Sequence, residues 1–237
     1  IFPDPLFDPF FLSLTIGICL KFFLKPHDEF LIGIKKAPSI FIPVGVVLYG
    51  ALNLDFRSIA SFNVDYIFLI FLVFIIFVLT SLVFSTLLKL NEKTGHLLAA
   101  GSAVCGVSAI IITSQANDAE SDDISISLIA IFFSALIGLF LLLPLLKFFL
   151  RFSDTNYAVL SGAVLQITGF VKVAVRHLSS DAQALAMSIK TLRYTELLFL
   201  VPAFGSLTRR KAHIPWFLWG FLIAGILFSS FQPIAIT

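Results

Sequence analysis

Charged residues are scarce in this sequence of 237 residues, since Asp, Glu, Lys and Arg make up 13% of it, whereas hydrophobic residues make up 59%. A soluble domain has about a quarter of its residues charged. So few polar side chains cannot cover the surface of a folded domain of this size in water. The composition therefore excludes a soluble globular protein and indicates that lipid surrounds the chain.

The sequence also lacks the residues of a disulfide, metal or enzyme site. Its only cysteines, Cys19 and Cys105, lie inside apolar segments, so neither a disulfide framework nor a zinc site is expected. It contains no His-Glu-x-x-His pair, no Gly-x-Ser-x-Gly turn and no phosphate-binding Gly-Lys-Ser/Thr loop. We therefore expect a protein that is not an enzyme, holds no cofactor or metal and has no nucleic-acid partner.

Long apolar runs, in contrast, are abundant. A helix of about 20 residues crosses the hydrocarbon core of a membrane, which is about 30 Å thick. Eight segments come near this length: about 9–24, 38–53, 66–88, 96–114, 124–146, 157–175, 184–206 and 215–233. The sequence thus predicts an all-α, polytopic transmembrane helical bundle of about eight spans, which forms one integral membrane domain over residues 1–237.

Lysine and arginine are concentrated in every second connection between these segments. If every segment crosses the membrane, one side holds Lys21, Lys25, Lys35, Lys36, Lys89, Lys93, Lys147, Arg151, Arg209, Arg210 and Lys211. The other side holds only Arg57, Lys172 and Arg176. The positive-inside rule then predicts eight crossings, with the first and last residues both outside.

The fourth and sixth segments are rich in small and polar residues. Leu98–Gln115 reads LAAGSAVCGVSAIIITSQ, and Leu160–Val175 reads LSGAVLQITGFVKVAV. Such glycine-interrupted segments are typical of discontinuous helices that meet near the middle of a membrane. They are equally typical of helices that pack closely through small residues. The residues alone leave both interpretations open.

Three charged residues lie on one face of the seventh segment. Lys190, Arg193 and Glu196 follow one another at three-residue spacing, and a crossing over about 184–206 places them within the membrane. Charges at that depth usually face the interior of a bundle or a watery cavity. Either the two cations attract an anionic substrate while Glu196 holds Arg193, or Arg193 and Glu196 form a structural ion pair and Lys190 extends to the surface.

Together these segments predict a substrate site. The N-terminal ends of half-helices expose N–H groups and partial positive charge, which suit an anion, and the fourth and sixth segments contain no carboxylate for a cation. The predicted substrate-binding residues are Gly101, Ser102, Cys105, Gly106 and Ser108 of the fourth segment, Gln166 and Thr168 of the sixth, and Lys190 and Arg193 of the seventh.

A short internal similarity is consistent with an inverted repeat. Pro9–Leu12 reads PFFL and Pro215–Leu218 reads PWFL, and the predicted crossings give the two spans that they open opposite orientations. The chain begins at Ile1 and ends at Thr237, both close to apolar segments. We therefore expect the natural protein to continue at both ends.

The run Cys105–Ala109, which reads CGVSA, matches a Cys-Gly-x-Ser-Ala signature. With it, the chain resembles the YeiH-type family of bacterial inner-membrane proteins, described as sulfate exporters. Looser matches are Asp8-Pro9, Gly45–Gly50, Lys190–Arg193 followed by Pro202, and Ile214–Phe217. The resemblance covers nearly the whole chain. It implies a multi-pass transporter of the inner membrane with inverted repeats, a panel domain and a core domain in which two broken helices cross.

One departure from that family concerns coupling. Where members often have a His-Glu pair in the sixth segment, this sequence has Gln166-Ile167, so a proton-coupling role of that pair is not carried over. The expected function is secondary transport of a small anion, such as sulfate, sulfite or a sulfonate, by alternating access. A cation/proton antiporter and a non-transporting membrane scaffold subunit are the alternatives. Expected partners are membrane lipid and a small-molecule or ion substrate, and the sequence is compatible with a homo-oligomer.

Overall fold

The computed structural model describes residues 64–209 and 216–231, together with residues 16–17, 19–20, 40–41, 44–45, 47–48 and 51. Every regular element in these residues is helical. The main helices are α1 (Val64–Leu87), α2 (Glu92–Ala103), α3 (Val107–Ala116), α4 (Ser121–Ile137), α5 (Leu143–Leu150), α6 (Asp154–Val164), α7 (Thr168–Val175), α8 (Ser180–Tyr194), α9 (Leu197–Arg209) and α10 (Trp216–Phe231). The all-α prediction is therefore confirmed for the described residues.

Among the described residues, two helices are long and apolar enough to cross a membrane. They are α1, with 24 residues, and the continuous helix Ser121–Leu150, with 30 residues, in which a π-helical turn joins α4 to α5. Large apolar side chains of α1 point outward, among them Phe68 and Phe84, which are 68% and 62% exposed. An apolar surface of this extent is unfavourable in water and well solvated by lipid chains. The described residues therefore form a membrane-type helical bundle.

The helices α2 and α3 form a helical hairpin, which we call hairpin 1. At its start, Lys93 Nζ donates a 2.6 Å hydrogen bond to the carbonyl oxygen of Asp118, which lies just after its end. Next to it, Thr94 donates a 2.6 Å hydrogen bond to Asp123, at the start of α4. Further along, a Cβ placed on Gly101 would lie 2.9 Å from Ile110. Hence α3 returns along α2, and hairpin 1 starts and finishes at one end of the bundle, which we call the Asp123 end.

The helices α6 and α7 form hairpin 2 in the same manner. Lys147 Nζ lies 3.5 Å from the carboxylate of Asp154, at the start of the hairpin, and 3.1 Å from Nε2 of His177, just after its finish. The rings of Tyr157 and His177 have centroids 5.9 Å apart. The helix from Ser121 to Leu150 is about 45 Å long, so this second base, the Asp154 end, is opposite the first. The hairpins therefore enter the bundle from opposite ends.

The helices α8 and α9 together run from one end of the bundle to the other. α8 starts beside the base of hairpin 2, where the Ser179 side chain caps its N-terminus. It reaches the tips of both hairpins at Lys190, which bonds to Val104 and Leu165. α9 then follows hairpin 1 to its base, where the rings of Phe204 and His96 stack with centroids 4.5 Å apart.

This arrangement corrects one prediction. The segments about 96–114 and 157–175 were each expected to cross the membrane, and that expectation is wrong because each of them turns back at its own break. Over residues 64–209 the chain runs from end to end three times, in α1, α4–α5 and α8–α9, rather than five times. The expectation that Lys93 and Lys147 lie on the same side is therefore also wrong, since Lys93 lies at the Asp123 end and Lys147 at the Asp154 end.

An inverted repeat is present within the described residues. Residues 92–150 and 154–209 each contain a hairpin followed by a long helix, and the two units start from opposite ends. Short matches support the correspondence, namely Ala103-Val104 with Ala163-Val164, Ser121-Asp122 with Ser180-Asp181, and Pro144 with Pro202, at offsets of 60, 59 and 58 residues. The repeat expected from Pro9–Leu12 falls largely outside the described residues.

Small residues along the hairpins allow close helix contacts. A Cβ on Gly162 of α6 would lie 2.5 Å from the carbonyl oxygen of Ala186 in α8. A Cβ on Gly101 would likewise lie 2.8 Å from the side chain of Ile131 in α4. Since real Cβ atoms do not approach so closely, only glycine allows these contacts. The small residues therefore serve packing along the hairpins as well as the breaks at their tips.

Candidate functional site

Hairpin 1 turns at Val104, Cys105 and Gly106. Gly106 has φ +72°, a conformation that favours glycine because other residues meet a steric penalty there. Its N–H donates a 3.0 Å hydrogen bond to the carbonyl oxygen of Gly101. Gly106 is also the N-cap residue of α3. Because glycine has no side chain, this N-cap cannot accept a hydrogen bond from the first N–H groups of α3.

Hairpin 2 turns through extended backbone, with ψ 130° at Leu165 and 125° at Ile167. Ile167 is the N-cap of α7, and its apolar side chain likewise accepts no hydrogen bond. The two turns touch, since a Cβ on Gly106 would lie 3.4 Å from Cβ of Gln166 and 3.5 Å from Ile167. Of the two interpretations that the sequence left open, discontinuous helices are therefore present, and their breaks are in contact.

Lys190 of α8 joins the two turns. Its Nζ donates hydrogen bonds to the carbonyl oxygens of Val104 at 3.0 Å, Leu165 at 2.8 Å and Gln166 at 2.6 Å. Three carbonyl acceptors require three N–H donors, which only the ammonium form of lysine provides. The side chain is fully buried. The alternative in which Lys190 extends to the surface is thus wrong.

Arg193, one helical turn further along α8, binds the same tips. It donates hydrogen bonds from Nη1 to Leu165 at 3.2 Å and from Nη2 to Ser102 at 3.1 Å, and Nη2 also donates to the carbonyl oxygen of Ala103. Its Nε lies 4.0 Å from Oε2 of Glu196. Arg193 therefore takes part both in an ion pair and in holding the tips.

The charges at this point do not cancel. The C-terminal ends of α2 and α6 carry partial negative charge and face the two cations, while the N-terminal ends of α3 and α7 carry about the same partial positive charge. The four helix ends therefore balance one another to a first approximation. Lys190 and Arg193 contribute two positive charges and Glu196 contributes at most one negative charge, so the buried centre of the bundle is positive.

A cleft of about 330 Å³ reaches the hairpin tips. Ser102 of hairpin 1 and Gln166 of hairpin 2 line it, together with Ser81 of α1 and Ser134 of α4. The hydroxyl oxygens of Ser81 and Ser102 are 2.7 Å apart. The cleft also contacts Leu88, beyond the end of α1. It is therefore polar at the tips and leads from them toward the Asp123 end.

The other predicted residues of the fourth segment take three different positions. Cys105 is a buried free thiol in the turn of hairpin 1. Ser108 is half-buried in the first turn of α3. Gly101 lies against Ile110 and Ile131, and these side chains fill the space that a ligand would need. Hence the turn and the first residues of α3 are at the site, whereas Gly101 serves packing.

Thr168 reveals a residue that the sequence analysis missed. Its Oγ1 is hydrogen-bonded to the hydroxyl of Tyr194, at the end of α8. Tyr194 is buried and follows directly after Arg193. A buried tyrosine within an apolar segment needs a hydrogen-bond partner for its hydroxyl group. This requirement could have identified Tyr194 from the sequence. Ser81 and Ser134 were missed because bulky apolar residues dominate the helices in which they lie.

The two broken hairpins also bear on the scaffold alternative. A non-transporting scaffold was expected to have continuous helices in the fourth and sixth segments, packed without a cavity. Both segments are instead broken in mid-length, at residues 104–106 and 165–167. Ser102 and Gln166, beside these breaks, line a cleft. The geometry therefore disagrees with what the scaffold alternative requires.

Comparisons with known proteins agree with a membrane protein. A family model described as Conserved hypothetical protein 698 matches residues 4–235. The chain is 28% identical over 231 residues to a UPF0324 membrane protein of Archaeoglobus fulgidus, which covers 97% of this chain and 69% of that protein. It is 28% identical over 215 residues to the UPF0324 inner membrane protein YeiH of Salmonella typhi, which covers 84% of this chain and 60% of that protein. None of the solved structures matches the chain.

These findings and the geometry support one another. The relatives are named as membrane proteins, and α1 and the helix Ser121–Leu150 have the length and apolar surface of membrane-crossing helices. The resemblance to YeiH-type proteins that Cys105–Ala109 indicated is confirmed. The chain is a membrane protein and belongs to the family described as Conserved hypothetical protein 698.

Proposed function

We propose that the protein is a multi-pass transporter of the cytoplasmic membrane that moves a small anion, such as sulfate, sulfite or a sulfonate, by alternating access. The observation that carries the proposal is the buried positive centre formed by Lys190 and Arg193, at which the breaks of two opposed hairpins meet. A positive centre inside a membrane protein costs free energy, so such a centre usually marks a functional site.

The N-terminal ends of α3 and α7 provide the contacts for an anion. Their N-cap residues, Gly106 and Ile167, offer no side-chain acceptor. The third N–H groups, those of Ala109 and Phe170, bind the Cys105 side chain and the Ile167 carbonyl oxygen, so the N–H groups before them are the ones that a ligand would meet. Lys190 has all three protons engaged with carbonyl oxygens. It therefore contributes electrostatic potential, while direct contacts come from N–H groups and from hydroxyls such as that of Ser108.

The inverted repeat supports alternating access. The cleft that ends at Ser102 and Gln166 leads toward the Asp123 end. Because residues 92–150 and 154–209 are related by an inverted repeat, exchanging the conformations of the two units would close this cleft and open a matching one toward the Asp154 end. The three end-to-end runs, α1, α4–α5 and α8–α9, would then be the membrane-crossing elements.

Thermal unfolding of the purified protein tests the anion specificity. A ligand that binds only the folded state raises the unfolding midpoint in proportion to the logarithm of its concentration above the dissociation constant. We expect sulfate, sulfite or methanesulfonate to raise the midpoint beyond the effect of chloride at equal ionic strength. Thr168→Val, which removes a hydroxyl beside the tips, should reduce this rise. An unchanged midpoint with all three anions would count against the proposal.

A cation/proton antiporter is the second candidate, and Glu196 is the observation that favours it. This carboxyl group is 6% exposed, and neither oxygen has a hydrogen-bond partner among the described residues. An antiporter needs such a group to exchange its proton for a cation. Sodium- or pH-driven exchange that disappears in Glu196→Gln, with no response to anions, would favour this candidate. The anion proposal expects Glu196→Gln to keep its anion response.

A further inference from the structure

The surroundings of Lys190 Nζ are those of a bound ion rather than of an ordinary side chain. Its three partners, the carbonyl oxygens of Val104, Leu165 and Gln166, lie at 2.6–3.0 Å and belong to two separate hairpins. Lys190 is fully buried. Proteins bind a monovalent cation in the same way, because converging carbonyl oxygens replace its hydration shell.

These carbonyl oxygens need a cation for a physical reason. They lie at or just after the C-terminal ends of α2 and α6, where helix carbonyls lack partners within their own helix and carry partial negative charge. Two such ends facing each other would repel. A positive charge between them satisfies the acceptors and removes the repulsion, and a lysine ammonium is a compact point charge of suitable size.

We propose that Lys190 is a tethered cation that fills a monovalent-cation site built from the carbonyl groups of both hairpin tips. The protein thereby holds its tips together without binding sodium or potassium. For transport, this inference rests on the proposed function and states that anion movement is not coupled to an alkali cation at this position. The cation site itself depends only on the contacts of Lys190.

Arg193 does not fill the same role. It binds the carbonyl oxygens of Ser102, Ala103 and Leu165, so it shares only one acceptor with Lys190. Its Nε lies 4.0 Å from the Glu196 carboxylate. Removing the Lys190 side chain would therefore leave the carbonyl oxygens of Val104 and Gln166 without these hydrogen bonds. The oxygens would then face a cavity of about the size of the lost ammonium group.

The experiment measures the thermal unfolding midpoint of Lys190→Ala in choline chloride, and then with ammonium, methylammonium, potassium or sodium chloride at the same total chloride concentration. Choline is too large for the vacated space, whereas ammonium and potassium are similar in size to the lost group. We expect the Lys190→Ala midpoint to lie below that of the wild type in choline and to rise with ammonium or potassium until it saturates. The wild type should unfold at the same midpoint in all five salts.

Two variants make the result specific. Lys190→Met fills the space with an apolar chain and should have a low midpoint that no cation raises. Lys172→Ala removes an exposed lysine of α7 and should behave as the wild type in every salt. A Lys190→Ala midpoint that does not respond to cations, or a Lys190→Met midpoint that rises as much, would overturn the inference.

The wild-type arm decides the matter even if Lys190→Ala does not fold. A wild-type midpoint that rises with potassium or sodium above its value in choline would mean that a free cation binds in addition, which contradicts the inference. Equal midpoints support it. Because no anionic substrate is present in these measurements, failure of the anion proposal would leave the result intact, and the reverse also holds.

Discussion

At the scale of single residues, the site depends on side chains that bind backbone carbonyl groups and on glycines that allow close backbone contacts. Lys190 and Arg193 donate their hydrogen bonds to carbonyl oxygens at the hairpin tips, and Arg193 also pairs with Glu196 and lies over the ring of Phe77. Gly106 provides the positive φ that turns hairpin 1. Gly162 allows α6 to approach the backbone of α8, on which Lys190 stands. Position 162 therefore sets how hairpin 2 lies against that lysine.

Substitution of Gly162 by alanine should destabilise the protein. The added Cβ would lie 2.5 Å from the carbonyl oxygen of Ala186, a backbone atom that cannot move away without shifting α8. Overpacking of this kind costs about 1–3 kcal/mol. Gly17→Ala is the matched control, because no atom of the described residues lies within 4 Å of its Cβ position. The measurement is thermal unfolding in detergent, and equal midpoints for the two variants would contradict the contact.

At the scale of elements, the fold depends on two segments that turn back. Hairpin 1 brings Lys93 within hydrogen-bond distance of Asp118, and hairpin 2 brings His177 next to Tyr157. α2 has 12 residues and is about 18 Å long, and α6 has 11 residues and is about 16 Å long. Placed tip to tip, these lengths cover about the thickness of the hydrocarbon core. The proposed function therefore places the tips, and with them Lys190, near mid-membrane.

Labelling of single cysteines should show that hairpin 1 returns to its own side. In a background without Cys19 and Cys105, we expect a membrane-impermeant maleimide to label Glu92→Cys and Asp118→Cys from the same side of the membrane. Asp154→Cys should be labelled only from the opposite side, because the helix Ser121–Leu150 separates the two ends. The three native positions are exposed. Labelling of Glu92→Cys and Asp118→Cys from opposite sides would mean that hairpin 1 crosses the membrane instead of turning back.

The sequence predicted the helical class, but it left two interpretations of the fourth and sixth segments open. Glycine and small polar residues marked these two segments, in which the breaks near Gly106 and Gln166 lie, as either broken or closely packed. The direction of the chain after each break could not be predicted. It depends on contacts between distant residues, such as Lys93 with Asp118, and on the positive φ of Gly106. For that reason the spacing of basic residues was interpreted as five crossings over residues 64–209, where the chain runs from end to end of the bundle three times.

The candidate site was predicted in part for a similar reason. Spacing placed Lys190, Arg193 and Glu196 on one face, but it could not show that the cations bind carbonyl oxygens of both hairpins. Ser102 and Gln166 were predicted and line the cleft, whereas Ser81 was missed because bulky apolar residues dominate its helix. Residues brought to a site by packing alone leave no local pattern in a single sequence.

At the scale of the whole molecule, two units of opposite orientation meet at one positively charged centre. Each unit contributes a hairpin and a long helix with an irregularity in mid-length, a π-helical turn at Gly138–Leu142 in the first and a break at Thr195-Glu196 in the second. A centre shared by inverted units is accessible in turn from either end if the units exchange conformations. This geometry leads to the central claim, that the protein carries a small anion across the membrane.

Counterflow in proteoliposomes tests that claim most directly. Vesicles that contain the protein and an excess of unlabelled sulfate, sulfite or methanesulfonate are diluted into the same labelled anion. The account predicts that the labelled anion accumulates transiently inside the vesicles. Protein-free vesicles should show no accumulation, and vesicles with Lys172→Met should show the same accumulation as those with the wild type. Lys190→Met should reduce it by about tenfold or more, because loss of a buried unit charge near the site costs at least about 1.4 kcal/mol. No accumulation with any of the three anions, or accumulation that Lys190→Met leaves unchanged, would contradict the account.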